Sequence, residues 1–130
     1  MTVVDASAMV ELLLQTPLGS RVEARLLGEP GLHAPHLLDV EVLQALRRLA
    51  RGGEVSDSRA EEAIADLADF GVLRHPHDLF LRRAWELRGN LTAYDAMYVA
   101  LAEALAAPLL TCDAPLGAAP GHSASIEVIR

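Results

Sequence analysis

The amino-acid sequence predicts an α/β fold, with helices covering both faces of a central parallel sheet. Short apolar segments alternate along the chain with longer stretches in which apolar residues recur every three to four positions. The first kind is typical of buried strands and the second of amphipathic helices. Regular alternation of the two favours βα units around a parallel sheet. Hydrophobic residues make up 52% of the 130 residues, which is enough for a full core.

The predicted strands are short and rich in valine, isoleucine, threonine and leucine. Such residues favour strands that are buried in a sheet. The five segments are Thr2–Val4, Leu32–Ala34, Val72–Arg74, Leu109–Cys112 and Ile126–Ile129. Because helical stretches separate them, we expect the strands to run parallel.

The predicted helices are bounded by residues that start or stop a helix. Pro17 and Gly19 end the first, Ser56 is the N-cap of the fourth, and Pro108 breaks the last. A glycine follows the C-terminal end of each of the other predicted helices, as is common at helix C-termini. The six segments are Ala6–Gln15, Ser20–Leu27, His36–Arg51, Ser56–Phe70, Leu79–Arg88 and Ala93–Ala107. The last is apolar nearly all round, so we expect it to be buried on most sides.

The composition excludes several kinds of active site. The formal net charge is −7, from 11 basic and 18 acidic residues, which argues against a general nucleic-acid coat. It remains compatible with a site that holds cations. Every basic residue is arginine. The absence of lysine excludes a P-loop lysine, a Schiff-base lysine and a Ser–Lys pair, and it counts strongly against a receiver-type phosphoacceptor module.

Further features favour a single cytoplasmic domain that spans residues 1–130. Cys112 is the sole cysteine, so no internal disulfide can form. No apolar run reaches the ~18 residues that cross a bilayer, and no secretory signal is visible at the N-terminus. We therefore expect no membrane association. No two histidines have the His-x-x-x-His spacing, which disfavours a zinc site.

Two acids directly follow predicted strands. Asp5 comes after the first strand, and Asp113 comes after the Leu109–Cys112 strand. Ligands of open α/β sheets bind at the carboxyl ends of the strands, so both acids are placed at the edge where a site is expected. The alternative is local: Asp5 would cap the following helix, and Asp113 would organise a turn.

Two further acids lie on predicted helices. Asp95 is near the start of the most apolar helix, where an unpaired buried carboxylate must neutralise or find a cation. The alternative role for Asp95 is to pair with Thr92, three residues earlier, in a capping box. Glu41 borders the apolar face of the His36–Arg51 helix. The alternative is that Glu41 is an ordinary solvated residue at the edge of that face.

Taken together, the four acids indicate a site for a hard divalent cation. Carboxylate-rich, oxygen-only ligand sets suit Mg²⁺ or Mn²⁺. Such ions polarise phosphoryl oxygens and activate water, so phosphodiester hydrolysis fits this ligand set without a nucleophilic side chain. The hydroxyls of Ser7 and Thr92 lie close in sequence to Asp5 and Asp95 and could support their carboxylates; their alternative role is helix capping.

The acids occur in motifs that resemble those of PIN domains, and more narrowly the VapC toxins of bacterial type II toxin–antitoxin systems. The motifs are Val-Val-Asp-Ala-Ser (3–7), Pro-His-Leu-Leu-Asp-Val-Glu-Val (35–42), Leu-Thr-Ala-Tyr-Asp-Ala-Met-Tyr-Val-Ala-Leu-Ala (91–102) and Leu-Leu-Thr-Cys-Asp (109–113). The resemblance covers essentially the whole chain, in order and at family-like spacing.

This resemblance implies a three-layer α/β/α sandwich with a central parallel sheet and Mg²⁺- or Mn²⁺-dependent endoribonuclease activity. It assigns Asp5, Glu41, Asp95 and Asp113 to the family's acidic quartet. It also implies an RNA substrate, a homodimer and a VapB-type antitoxin. Pro115 departs from the pattern, because many relatives carry a basic residue there. The alternative is a catalytically weak PIN-like module that binds RNA or protein.

Other prominent residues are assigned to the surface or to the core. Five arginines form two groups on predicted helices: Arg47, Arg48 and Arg51 on one, Arg82 and Arg83 on another. A solvated helix face explains them, although phosphate or an acidic partner segment would also suit them. Trp85 and Tyr98 fall on apolar helical faces and are expected in the core.

Overall fold

Five parallel strands form the central sheet of this protein, which we describe from a computed structural model covering residues 1–130. The strands are β1 (Thr2–Val4), β2 (Leu32–Pro35), β3 (Val72–His75), β4 (Leu109–Thr111) and β5 (Ile126–Val128). They lie side by side in the order β3-β2-β1-β4-β5. Every neighbouring pair is parallel, with Val3 paired to His33 on one side and to Leu109 on the other. The predicted parallel sheet and its five strands are confirmed.

Seven α-helices flank the sheet. They are α1 (Ala6–Leu14), α2 (Pro17–Leu26), α3 (Leu37–Arg51), α4 (Asp57–Asp69), α5 (Leu81–Glu86), α6 (Ala93–Leu105) and α7 (Ala114–Ala118). Helices α1 to α4 pack against one another, whereas α5 packs against α6. No helix is both long and apolar enough to cross a membrane.

The order of the strands explains why the helices form two layers. The chain first steps from β1 to β2 to β3 in one direction and then crosses back to β4 and β5 on the other side of β1. Because parallel crossovers are right-handed, this reversal places α1–α4 on one face and α5–α6 on the other. The result is the expected α/β/α sandwich. The strand order reverses between β1 and β4, where α/β proteins bind ligands.

The core lies on both sides of β1 and β4. All three residues of β4 are fully buried, and helix α6 carries six buried residues. Tyr98 of α6 is 1% exposed, as expected. The prediction for Trp85 is wrong, because this side chain is 67% exposed. Ala84 of the short helix α5 and its C-cap residue Leu87 are buried, whereas Trp85 faces solvent. The Arg88 guanidinium lies over the Trp85 ring, 4.5 Å from its centroid.

Three local predictions need correction. Helix α2 begins at Pro17, not at Ser20, because Thr16 caps it and proline is favoured in a first helical turn. The predicted Leu79–Arg88 helix is a 3-10 turn (His77–Phe80) followed by the six residues of α5. The turn after Asp113 is the short helix α7, which has proline in its first turn.

Candidate active site

A cleft of about 410 Å³ opens where the strand order reverses. Its walls come from α1, α3, α6 and the segment after β4. All four predicted acids line it: Asp5, Glu41, Asp95 and Asp113. Residues far apart in the sequence therefore meet in one place, at the carboxyl edge of the sheet where ligands are expected.

Asp5 is held more tightly than the other three acids. It follows β1 and caps α1, accepting a hydrogen bond from the Ala8 N–H (3.0 Å) on Oδ1. The Ser7 hydroxyl donates to the same oxygen (2.7 Å), and the Thr111 hydroxyl donates to Oδ2. A carboxylate oxygen accepts about two hydrogen bonds, so Oδ2 keeps one position for a cation. The local capping role and a ligand role are compatible for this residue.

Thr111 joins the two strand ends and was missed in the sequence. It is fully buried at the end of β4, where its hydroxyl donates to Asp5 and accepts from the Asp113 N–H (2.9 Å). Ser7 forms a parallel link, since its hydroxyl accepts from the Cys112 N–H (2.9 Å). The signal was available: a hydroxyl residue in an otherwise apolar buried strand must find a hydrogen-bond partner.

The carboxylate of Asp113 does not organise the turn that follows it, which was the local role that the sequence allowed. Asp113 occupies the N-cap position of α7, yet its side chain makes no capping hydrogen bond. Its backbone N–H is the group that is fixed, by Thr111. The half-buried side chain therefore lines the cleft without a partner of its own.

Asp95 makes only half of the predicted capping box. Thr92 caps α6 by accepting from the Asp95 N–H (3.2 Å), whereas the reciprocal bond from the Thr92 N–H to the Asp95 carboxylate is absent. Thr92 is exposed and does not line the cleft; its hydroxyl caps α6 and also offsets part of the rise in the pKa of Asp95. The Asp95 carboxylate is half-buried in the cleft.

Glu41 is fixed across the cleft by a tyrosine of another helix. The Tyr98 hydroxyl of α6 donates to Glu41 Oε1 on α3 (2.7 Å). Burial first, and then the Glu41 carboxylate, raises the pKa of Tyr98 well above its usual range, so the phenol keeps its proton. Glu41 is therefore not a freely solvated residue, which removes the alternative considered for it in the sequence.

Burial of the carboxylates, reinforced by their mutual repulsion, governs the electrostatics of the cleft. Burial raises the pKa of Asp5 above its usual value despite its three donors, and the charge of Asp113 adds to this. Burial and then the charges of Asp113, Asp5 and Glu41 raise the pKa of Asp95. Burial also raises the pKa of Cys112 to about 11, so this thiol is not a nucleophile at neutral pH. A nearby cation would relieve the repulsion.

The residues fit a divalent cation in chemistry, whereas the geometry is not closed around one point. All four side chains offer the carboxylate oxygens that Mg²⁺ and Mn²⁺ prefer. No three His, Cys, Asp or Glu side chains are arranged to hold a metal ion together. A cation held by three of these acids would need their carboxylates to lie closer together than they do here.

Four histidines, which are dispersed in the sequence, lie near the adjacent ends of β2 and β3. His33 Nδ1 and His75 Nε2 are 2.9 Å apart, and the rings of His36 and His77 are 6.3 Å apart. His77 Nε2 accepts the Leu37 N–H (2.8 Å). These contacts hold β2 and β3 together, and no three of the rings form a metal site.

The raised pKa values of Asp5 and Asp95 predict how stability depends on pH without metal. A carboxyl whose pKa is higher in the folded state stabilises the fold at low pH and loses this contribution as pH rises through the folded pKa. Between about pH 5 and 7, Glu29 and Glu103, whose pKa values are lowered to about 2, contribute a constant amount. Burial lowers the pKa of His33, which gives the opposite slope.

We therefore expect Asp95→Asn to be more stable than the wild type in EDTA, with a difference in unfolding free energy that grows as pH rises. His33 contributes equally to the wild type and to the variant, so its contribution cancels in the difference. Urea unfolding at several pH values from the ordinary range of an aspartate upward measures the difference, which grows until pH exceeds the raised pKa of Asp95. A difference that shrinks as pH rises would show that the Asp95 pKa is not raised.

The hydrogen bond from Tyr98 predicts a role in positioning Glu41. Tyr98→Phe removes the hydroxyl and keeps the ring, so Glu41 loses its donor. Loss of a partner that orients a metal ligand lowers affinity or activity by about 10–100-fold. We expect a higher Mg²⁺ concentration for half-maximal activity, with the fold retained. A Mg²⁺ requirement equal to that of the wild type would contradict this role, whatever the variant's stability.

The parallel sheet and the cleft at its carboxyl edge define an α/β protein whose site is lined by carboxylates. The chain belongs to the PIN-domain family, since the family model described as "PIN domain" matches residues 2–120. Among similar proteins is "Ribonuclease VapC12" of Mycobacterium tuberculosis, 44% identical over 129 residues and 99% of each chain. "Ribonuclease VapC1" of the same organism is 45% identical, covering 98% of this chain and 97% of the other.

Two crystal structures have the same fold. PAE2754 from Pyrobaculum aerophilum matches with a TM-score of 0.71 at 32% identity, covering 98% of this chain and 83% of that chain. VapC20 from M. tuberculosis, described as a Sarcin-Ricin loop cleaving toxin, matches with a TM-score of 0.67 and covers 91% of this chain and 94% of that chain. Its 18% identity means that this second likeness concerns the fold alone.

Proposed function

We propose that this protein is an endoribonuclease that hydrolyses RNA phosphodiester bonds with Mg²⁺ or Mn²⁺, and that it is the toxin of a VapBC-type toxin–antitoxin pair. Membership of the PIN-domain family supports the activity. Near full-length identity of 44–45% to relatives named as VapC ribonucleases supports both the RNA substrate and the toxin role.

One observation carries the proposal: carboxylates from four separate elements line one cleft. Asp5 follows β1, Glu41 lies on α3, Asp95 lies on α6, and Asp113 follows β4. Charges gathered in a half-buried cleft destabilise the fold unless a cation is bound. A purely structural role gives no reason for such a cluster, whereas a nuclease needs it.

Each of the four acids has a proposed role as a ligand of the cation. Asp5 is the anchor, because Ser7 and Thr111 orient its carboxylate and leave a position on Oδ2. Asp95 and Asp113 carry carboxylates that capping does not use. Glu41 offers Oε2, since Oε1 is engaged by Tyr98.

A divalent cation held by these four acids would supply polarisation of a phosphoryl oxygen and a lowered pKa for the attacking water. The chain itself supplies the orientation of the ligands and a semi-enclosed, low-dielectric setting in which charges act strongly. The donors around Asp5 keep its carboxylate in one rotamer. The protonated Tyr98 hydroxyl keeps Glu41 in place.

The test is cleavage of labelled RNA by the purified protein with Mg²⁺, with Mn²⁺ and with excess EDTA. We expect cleavage with either ion and none with EDTA. Asp69→Asn is the matched control for acid-to-amide changes in the cleft, because Asp69 is exposed and outside it. Cleavage that persists in EDTA would contradict a metal-dependent mechanism.

RNA binding without cleavage under any of these conditions would favour the alternative function, a catalytically weak PIN-like binding module. This interpretation holds only for a folded protein, which circular dichroism and a cooperative melting transition would establish. It also requires that all four acids be intact, as they are in this chain.

The proposed partners are a second copy of the chain and a VapB-type antitoxin, in the cytoplasm. The similar proteins that are named VapC support the antitoxin. Light scattering on the purified protein is expected to give twice the chain mass of 13.9 kDa. Co-expression with the neighbouring reading frame is expected to yield a complex and to suppress toxicity. Toxicity that this neighbour leaves unchanged would contradict the assignment.

A further inference from the structure

A single basic residue, Arg48, lines the acidic cleft. Glu41, Ala45 and Arg48 recur along one side of α3 and all three line it, as residues spaced by three and four positions do on a helix. Arg48 lies seven residues from Glu41, which is roughly 10 Å along the helix axis. The acid and the base are thus on the same wall, about two turns apart.

The Arg48 guanidinium is exposed and has no protein partner. Other arginines, among them Arg25, Arg74 and Arg83, form ion pairs with nearby carboxylates. Arg48 forms no ion pair and no side-chain hydrogen bond, although carboxylates share the cleft with it. Its five N–H donors therefore remain available to a ligand that enters the cleft.

Its neighbours on α3 differ in position. Arg47 and Arg51 are also exposed and unpaired, yet neither lines the cleft. The three arginines therefore do not form one surface with a common role. Only Arg48 lies where a molecule at the acids would meet it.

We propose that Arg48 forms a phosphate-binding subsite, which holds an RNA backbone phosphate next to the phosphodiester that is cleaved at the acids. This inference rests on the proposed function and specifies how the substrate strand runs, along α3 from Glu41 toward Arg48. The planar guanidinium matches a phosphate with two parallel hydrogen bonds.

Charge balance favours a phosphate strand over an acidic peptide at this site. The cleft repels anions, because carboxylates outnumber its one guanidinium. An RNA strand is attracted at two points, by the cation at the acids and by Arg48, and successive phosphates link the two. An acidic peptide that pairs with Arg48 would have no reason to extend from there to the acids.

The first test compares RNA binding by the wild type, Arg48→Gln and the control Arg47→Gln. The probe is a short fluorescein-labelled single-stranded RNA of mixed sequence. Its anisotropy is measured in EDTA, where no cleavage is expected and no cation contributes, so that Arg48 is the one basic group left in the cleft to attract the RNA. Arg48→Gln is expected to weaken binding roughly tenfold, as for one lost charged hydrogen bond. The slope of log K against log salt should fall by about 0.7, the value for one phosphate of a single strand. Arg47→Gln is expected to bind like the wild type.

The second test is cleavage with Mg²⁺, in which Arg48→Gln is expected to raise KM with little change in kcat. An equal loss of RNA binding in both variants, or no loss in Arg48→Gln, would overturn the subsite. So would an Arg48→Gln variant that loses binding of poly-glutamate while its RNA binding is unchanged, since this would assign the residue to an acidic peptide.

These outcomes separate the subsite from the proposed function. A wild type that cleaves RNA while Arg48→Gln binds and cleaves normally refutes the subsite alone. A wild type that binds RNA through Arg48 but cleaves none with either metal refutes the nuclease and leaves phosphate binding established.

Discussion

Replacing Asp95 with asparagine is expected to reduce RNA cleavage by at least about 100-fold, while it stabilises the metal-free protein. Removal of a group that only orients a metal ligand already costs about 10–100-fold, and Asp95 is proposed as a ligand itself. Stability rises because burial and the charges of Asp113, Asp5 and Glu41 destabilise the ionised carboxylate. Initial cleavage rates with saturating Mg²⁺ and melting temperatures in EDTA measure the two effects.

The opposite signs of these effects make the prediction specific. A substitution that merely damages the fold lowers activity and melting temperature together. Asp69→Asn, outside the cleft, is expected to leave the cleavage rate unchanged. An Asp95→Asn variant that melts at a lower temperature in EDTA than the wild type would contradict the repulsive cluster.

Replacing Thr111 with valine is expected to lower both stability and activity. Valine has nearly the same shape, but it leaves the buried Asp5 with two donors and the Asp113 N–H without its acceptor. An unsatisfied buried polar group costs about 1–3 kcal/mol of unfolding free energy. The loss of orientation at Asp5 is expected to reduce activity about 10–100-fold. Urea unfolding and Mg²⁺-dependent cleavage rates measure the two losses.

Thr111→Ser is the matched control, because serine keeps the hydroxyl and removes one methyl group. We expect this variant to retain most of the activity and a Mg²⁺ requirement near that of the wild type. If Thr111 were only a packing residue, valine would perform as well as serine or better. That ranking would remove Thr111 from the site.

The strand-edge acids could be predicted from the sequence because their environment is local. Asp5 and Asp113 closely follow apolar segments that are long enough for one strand, and parallel strands end at a common edge. Asp95 stands out for a similar reason, as a charge within an apolar helix. Periodicity and position within about four residues suffice for such inferences.

The contacts that orient the acids could not be predicted in this way. Tyr98 reaches Glu41 across 57 positions, and Thr111 reaches Asp5 across 106. The sequence around Tyr98 or Thr111 does not indicate which residue it contacts, because the contact depends on how α6 and β4 pack. Taken alone, the sequence around Glu41 therefore favours a surface residue, and its hydrogen bond to Tyr98 is what places it in the site.

Errors in the helices arose where short segments compete with tertiary packing. The sequence predicts a helix end at Pro17, but proline is also a favoured first residue, and Thr16 supplies the cap that decides between the two. The apolar neighbours of Trp85 predict a core position, but a six-residue helix buries one side only. The sequence does not distinguish Arg48 from Arg47, whereas the position of the cleft does.

The central claim is that the four acids form one divalent-cation site. Its most direct test is calorimetric titration of Mn²⁺ into the wild type, into Asp95→Asn and Asp113→Asn, and into the control Asp69→Asn. We predict that both cleft variants bind Mn²⁺ at least about tenfold more weakly than the wild type, whereas Asp69→Asn binds equally well. Equal Mn²⁺ affinity in all four proteins would contradict the claim.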